Sequence, residues 1–93
     1  MKIKFHSDPG HGWLEVPLTE IRKLNIHLKI SPYSYLSRDG RMVYLEEDCD
    51  ANTFVESLEK TGEKIEFEDI SHNNLCFIRN LPHYPNATYV SHF

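Results

Sequence analysis

His6, Asp8 and His11 fall close together at the start of the chain. Two imidazoles and a carboxylate are a donor set suited to a divalent transition metal. A complete sphere would need a third or fourth ligand from elsewhere, and His72 and His83 are imidazoles that could supply it. Asp8 and His11 can also be written as a base with its orienting acid, but no nucleophile accompanies them. Ser7 lacks a Gly-x-Ser-x-Gly elbow, and Cys49 sits among carboxylates, which raise a thiol pKa. The competing reading of Asp8-Pro9-Gly10-His11-Gly12 is a turn. Pro9 fixes φ, Gly10 or Gly12 admits positive φ, and Asp8 accepts backbone hydrogen bonds. Asp8, His11 and Trp13 therefore stand as loop candidates, with no catalytic residue and no bound metal expected. Gly10-His11-Gly12 has neither dinucleotide-binding spacing nor a Gly-Lys-Ser/Thr ending, so no cofactor is expected either.

Charge supplies a second set of candidates. Residues 46–69 hold ten acids against Lys60 and Lys64, a balance of -8, whereas residues 1–45 hold seven bases and four acids, or +3. Such asymmetry bears on partners rather than on fold. Glu46, Glu47, Asp48, Glu56, Glu59, Glu66 and Glu68 are the expected partner-binding residues, facing a protein with a basic surface. Trp13, Tyr33, Tyr35 and Tyr44 with Arg38 and Arg41 would suit a stacking platform for bases. Cross-strand packing is the simpler role for these rings, and the net charge of -4 opposes direct nucleic-acid binding.

These residues need a scaffold, and 93 residues with 40% hydrophobic content suffice for one modest core. Charged residues interrupt every apolar run, so no membrane-spanning segment is expected. The first residues carry no apolar signal region, and Cys49 and Cys76 are too few and too distant for a disulfide scaffold. Both read as free thiols of a cytoplasmic protein.

Ile3 and Phe5 alternate with polar residues as a strand over 2–6, and Trp13-Leu14-Glu15-Val16 returns after the turn. Pro17 opens a short helix over 17–25. After Ser31-Pro32, residues 33–36 and 41–46 form a hairpin around Arg38-Asp39-Gly40. Ala51, Phe54, Val55 and Leu58 recur at helical spacing, with Asp50 or Asp48 as cap and Gly62 as the left-handed terminator. Residues 64–68 alternate as a strand burying Ile65 and Phe67, and Leu75-Cys76-Phe77-Ile78 reads as a last, more central strand. The fold class is α+β, with the order β-β-α-β-β-α-β-β. Its sheet is mostly antiparallel, and both helices lie on one face. Residues 1–81 form a single domain and 82–93 an irregular tail. The second sheet face must be covered by polar groups, by the tail, or by a partner such as a second copy in a homodimer.

The strings Asp8-Pro9-Gly10-His11-Gly12-Trp13-Leu14-Glu15-Val16, Tyr33-Ser34-Tyr35 and Tyr44-Leu45-Glu46-Glu47-Asp48-Cys49-Asp50 resemble a family of small acidic proteins of phages and plasmids. The resemblance covers about residues 3–58. It brings no activity and no catalytic residue, and it implies a context in which small proteins bind and inhibit host machinery. The functional expectation is thus a small non-catalytic protein-binding module, an inhibitor of a host defence or nucleic-acid-handling protein. The alternative is a metal-dependent or acid–base enzyme built on His6, Asp8 and His11.

Overall fold

The computed structural model describes residues 1–87. Strand β1 (Lys2–Ser7) and strand β2 (Gly12–Pro17) form a hairpin, followed by helix α1 (Leu18–Lys23). A second hairpin joins β3 (Tyr35–Leu36) to β4 (Met42–Glu46), then helix α2 (Ala51–Glu59) leads to β5 (Glu66–Ser71). A 3-10 helix, Phe77–Asn80, comes last. The sheet order is β3-β4-β2-β1-β5, with antiparallel pairing throughout except between β1 and β5, which run parallel. Among the described residues no helix is long and apolar enough to cross a membrane.

Alternation along the strands sorts side chains onto two faces. Phe5, Leu14 and Leu45 stand in one cross-strand row, as do Val16, Val43 and Leu36 in another. Ile21 of α1 and Phe54 and Leu58 of α2 bury themselves against this face together with Ile26 and Ile30, so both helices lie on one side. The opposite rows carry His6 and Trp13 in one and Glu15, Tyr44 and Tyr35 in the other. Trp13 and Tyr44 are buried there beneath Cys76 and Ile78.

That second cluster corrects one element. Leu75-Cys76-Phe77-Ile78 is not a strand; Phe77 and Ile78 open the 3-10 helix, with Cys76 and Ile78 buried and Leu75 and Phe77 exposed. The physical reason lies in the sheet itself. Trp13 and Tyr44 give its second face too much apolar surface to leave wet, and folding the segment across them removes that surface from water. Part of this face is thus covered by the chain itself.

Strand β5 also differs. It begins at Glu66 rather than Lys64, and Phe67 remains half exposed because β5 is an edge strand and α2 does not close over it. Ile65 is partly buried against the core as expected.

Local signals explain the remaining boundaries. Asn25, at φ 57, ends α1 in the left-handed region, and Gly62, at φ 85, follows the end of α2. Gly40, at φ 75, turns the second hairpin, where Ser37 Oγ and Asp39 Oδ1 accept the Arg41 N–H at 3.1 and 3.0 Å. Asp50 occupies the residue before α2, but its side chain does not cap the helix. Instead it reaches the Ser31–Ser34 loop. There it accepts the Ser31 N–H at 3.0 Å, the Ser31 hydroxyl at 2.7 Å and the Ser34 hydroxyl. Three donors satisfy a carboxylate that burial would otherwise penalise.

Residues 82–87 contain no helix or strand, and they pack on the body. The Tyr84 hydroxyl donates to the His27 carbonyl at 2.6 Å, and Asn86 Nδ2 donates to the carbonyls of Leu28 and Ile30 at 2.9 and 2.8 Å. Residues 88–93 of the expected tail lie outside the described residues.

Candidate functional site

The β1–β2 turn is built on one carboxylate. Asp8 Oδ1 accepts the N–H groups of Gly10 and His11, both at 3.0 Å, and Oδ2 accepts the Cys76 N–H at 3.0 Å. Arg79 completes the set, donating from Nε at 2.6 Å and from Nη2 at 2.8 Å. The Arg79 guanidinium holds the Asp8 carboxyl far below the usual carboxylate range, against a burial that would raise it, and the three backbone donors add to the effect. Neither Gly10 nor Gly12 takes positive φ, which corrects the expected basis of the turn. These glycines are set by space: a Cβ on Gly12 would strike the Phe5 ring and lie 2.8 Å from Glu47 Oε2, and one on Gly10 would lie 2.8 Å from Arg79 Nη2.

The three residues expected at one metal or acid–base centre are not brought together. Asp8 is used by Arg79 and the turn. His6 points across the sheet to His72 and Glu15. His11, half exposed, faces Glu46, with Nδ1 3.6 Å from Oε1. Glu46 is itself buried, and its other oxygen accepts the N–H groups of Asp48 and Cys49, both at 2.9 Å.

His11 and Glu46 line a cleft of about 410 Å³ together with Trp13, Tyr33, Tyr35, Asp48, Cys49, Arg79 and His83. Arg79 lies over the Trp13 ring at 5.5 Å, and His83 stacks on Tyr35 at 4.7 Å while its Nδ1–H donates to the Pro32 carbonyl at 2.7 Å. With Trp13 and Tyr44 buried, the rings do not form the open stacking platform that bases require. Desolvation first, and then the hydrogen bond with Glu46, push the Cys49 thiol up to about 11, which disfavours its thiolate at neutral pH.

The acidic stretch separates into three places. Glu46 and Asp48 belong to the aromatic cleft. Glu66 and Glu68 alternate onto the second sheet face, where Lys2 approaches Glu68 at 3.8 Å. The third place is a groove between α2 and β5. One stretch of about 490 Å³ has Phe5, Leu14, Ala51, Val55 and Phe67 as apolar walls and Glu47 and Asp69 at its rim. A second stretch of about 420 Å³ shares Val55 and Phe67 and adds Ile65, Glu59, Glu63 and one base, Lys64. Glu56 is exposed on α2 beside Asn52, whose amide donates to it at 3.1 Å.

Sequence reading missed Arg79 and the groove residues Glu63, Phe67 and Asp69 as site members. Arg79 carried a signal, being the only Lys or Arg beyond Lys64. Compared with known proteins, the chain matches no family model, no curated protein and no solved structure.

Proposed function

We infer that the chain is a non-catalytic binding module whose α2–β5 groove receives a protein segment carrying apolar and basic side chains. The groove supports this: exposed Phe67 and partly buried Val55 and Phe5 offer apolar contact, while Glu47, Glu59, Glu63 and Asp69 ring it with negative charge. Apolar contact supplies affinity, and the carboxylate rim supplies orientation and association rate. In the phage and plasmid setting, the partner is a host defence or nucleic-acid-handling protein whose basic surface the module blocks. Direct nucleic-acid binding is disfavoured, since phosphates meet carboxylates here. The enzyme reading draws less support, because both Asp8 oxygens are taken and His6 and His11 point into different surroundings.

The test is partner capture from host lysate at low and high salt, followed by amide-shift mapping of the purified complex. Expected are shifts confined to α2 and β5 and a salt-sensitive affinity. Glu59→Lys and Asp69→Lys should each weaken binding by about tenfold, and Glu66→Lys on the other face should leave it intact. A partner whose binding ignores salt and both groove reversals, or maps to another surface, overturns the reading.

A further inference from the structure

On the opposite face of the sheet from the groove, three metal-ligating side chains converge from three parts of the chain. His6 comes from β1, His72 follows β5, and Cys76 precedes the 3-10 helix. His6 Nδ1 and His72 Nε2 are 3.2 Å apart, and one ligand atom from each of the three residues lies within 4.8 Å of the others. We propose that His6, His72 and Cys76 form a binding site for a zinc-class divalent metal ion, independent of the groove.

The convergence of three donors from separate parts of the chain carries the argument, and an N–H···N hydrogen bond holds the two nitrogens together in the metal-free protein. On a tetrahedral zinc ion with Zn–N bonds of about 2.0–2.1 Å, two imidazole nitrogens stand roughly 3.3 Å apart. Two neutral rings can hold this distance only with a proton between the nitrogens, because facing lone pairs repel. A cation at the apex accepts both lone pairs and draws in the thiolate.

The surroundings match what metal-bound histidine requires. The other nitrogen of His6, Nε2, lies 3.4 Å from Glu15 Oε1, so a carboxylate is placed to receive its N–H and fix the tautomer that leaves Nδ1 free to ligate. The His72 N–H donates to the Ser7 carbonyl at 2.8 Å, and the Cys76 N–H donates to Asp8, so both backbones are anchored beside their ligating side chains. Phe77 stands edge-on to the rings of His6 and His72, at 5.7 and 6.2 Å, and screens the site. His6 and Cys76 are buried while His72 is only partly so, which leaves His72 on the side by which an ion enters.

The donor set decides the metal class. Two imidazoles and a thiolate favour zinc, cobalt or copper over magnesium or calcium, which prefer oxygen ligands. Three protein ligands also leave a fourth tetrahedral position for water or a small anion.

The experiment is a zinc titration against a chromophoric chelator, with Co²⁺ as the spectroscopic probe, on protein prepared without an affinity tag. Expected are one equivalent of zinc, a raised Tm, an intense thiolate-to-cobalt band and no response to Mg²⁺. Cys76→Ser should remove the band and Cys49→Ser should keep it. His72→Ala should weaken zinc binding on the order of a hundredfold, and Glu15→Gln by about tenfold. Circular dichroism of the metal-free variants establishes that each remains folded. The proposal is overturned if the parent protein binds no stoichiometric zinc, or if the band is absent or follows Cys49. It is equally overturned if zinc binding survives both Cys76→Ser and His72→Ala, or is abolished by Glu47→Gln with Asp48→Asn, which would place the ion at the acidic turn beside His11.

Discussion

Asp8 and Arg79 stand 71 positions apart in the chain and meet through two hydrogen bonds, Nε to Oδ2 at 2.6 Å and Nη2 to Oδ1 at 2.8 Å. The pair fastens the first hairpin to the segment that covers the second sheet face. Asp8 is depressed below its ordinary range, chiefly by Arg79, so the folded state binds its proton more weakly than the unfolded chain does. The stability it contributes is therefore fully present above the unfolded-chain value of about 3.9 and is lost as pH falls below that value toward the folded one. In thermal melts from neutral to strongly acidic pH, Asp8→Asn should lower Tm at pH 7 and flatten the fall in Tm on the acid side. A parallel fall in variant and parent would remove Asp8 as the source. Asp8→Ala should cost more than Arg79→Ala, because it also strands the N–H groups of Gly10, His11 and Cys76.

Gly12 and His11 are neighbours with opposite expected sensitivities. Gly12→Ala drives a methyl group into Phe5 and the Glu47 carboxylate, and overpacking of this kind costs about 1–3 kcal/mol. Gly10→Ala should cost less, since only Arg79 Nη2 must give way, at the expense of its hydrogen bond to Asp8 Oδ1. His11→Ala removes a half-exposed ring and should change stability by no more than about 0.5 kcal/mol. Urea denaturation of the three variants gives the ranking, and a His11→Ala loss larger than that of Gly12→Ala would contradict it.

Asp50 should be the most sensitive carboxylate of the acidic stretch, although it contributes nothing to the groove. Asp50→Ala leaves the Ser31 amide and the Ser31 and Ser34 hydroxyls without their acceptor in a buried loop, at about 1–3 kcal/mol for each stranded group that finds no other partner. Equilibrium unfolding should show a loss above about 2 kcal/mol, whereas Glu56→Ala on the exposed face of α2 should be near neutral. Equal effects from the two substitutions would mean that the serine loop relaxes freely.

Local pattern carried the hairpins and helices, because a strand such as Ile3-Lys4-Phe5 or a stripe such as Phe54, Val55 and Leu58 announces its own period. What eluded it depended on distant partners. Nothing in Glu66–Ser71 states that it pairs in parallel with β1, and nothing in Leu75-Cys76-Phe77-Ile78 says that Trp13 and Tyr44 need a cover more than the sheet needs a strand. The site residues divide in the same way. Charge density marked the acidic stretch, but the pleat of β5 sent Glu66 and Glu68 to one face and Phe67 and Asp69 to the other. The His6–His72 contact, 66 positions long, carried no mark in the sequence beyond the residue types.

The parallel pairing of β1 with β5 also sets an order of assembly. β1 can zip to β2 as soon as the first hairpin exists, but its other edge has no partner until residues 66–71 are available. On a ribosome this leaves the strand carrying Ile3 and Phe5 with an open hydrogen-bonding edge while most of the remaining chain is made. Closure of that edge, like the docking of Cys76 and Ile78 over Trp13, has to wait for residues 66–78. A nascent chain stalled before Glu66 would be sticky along β1, a natural place for a chaperone to hold it.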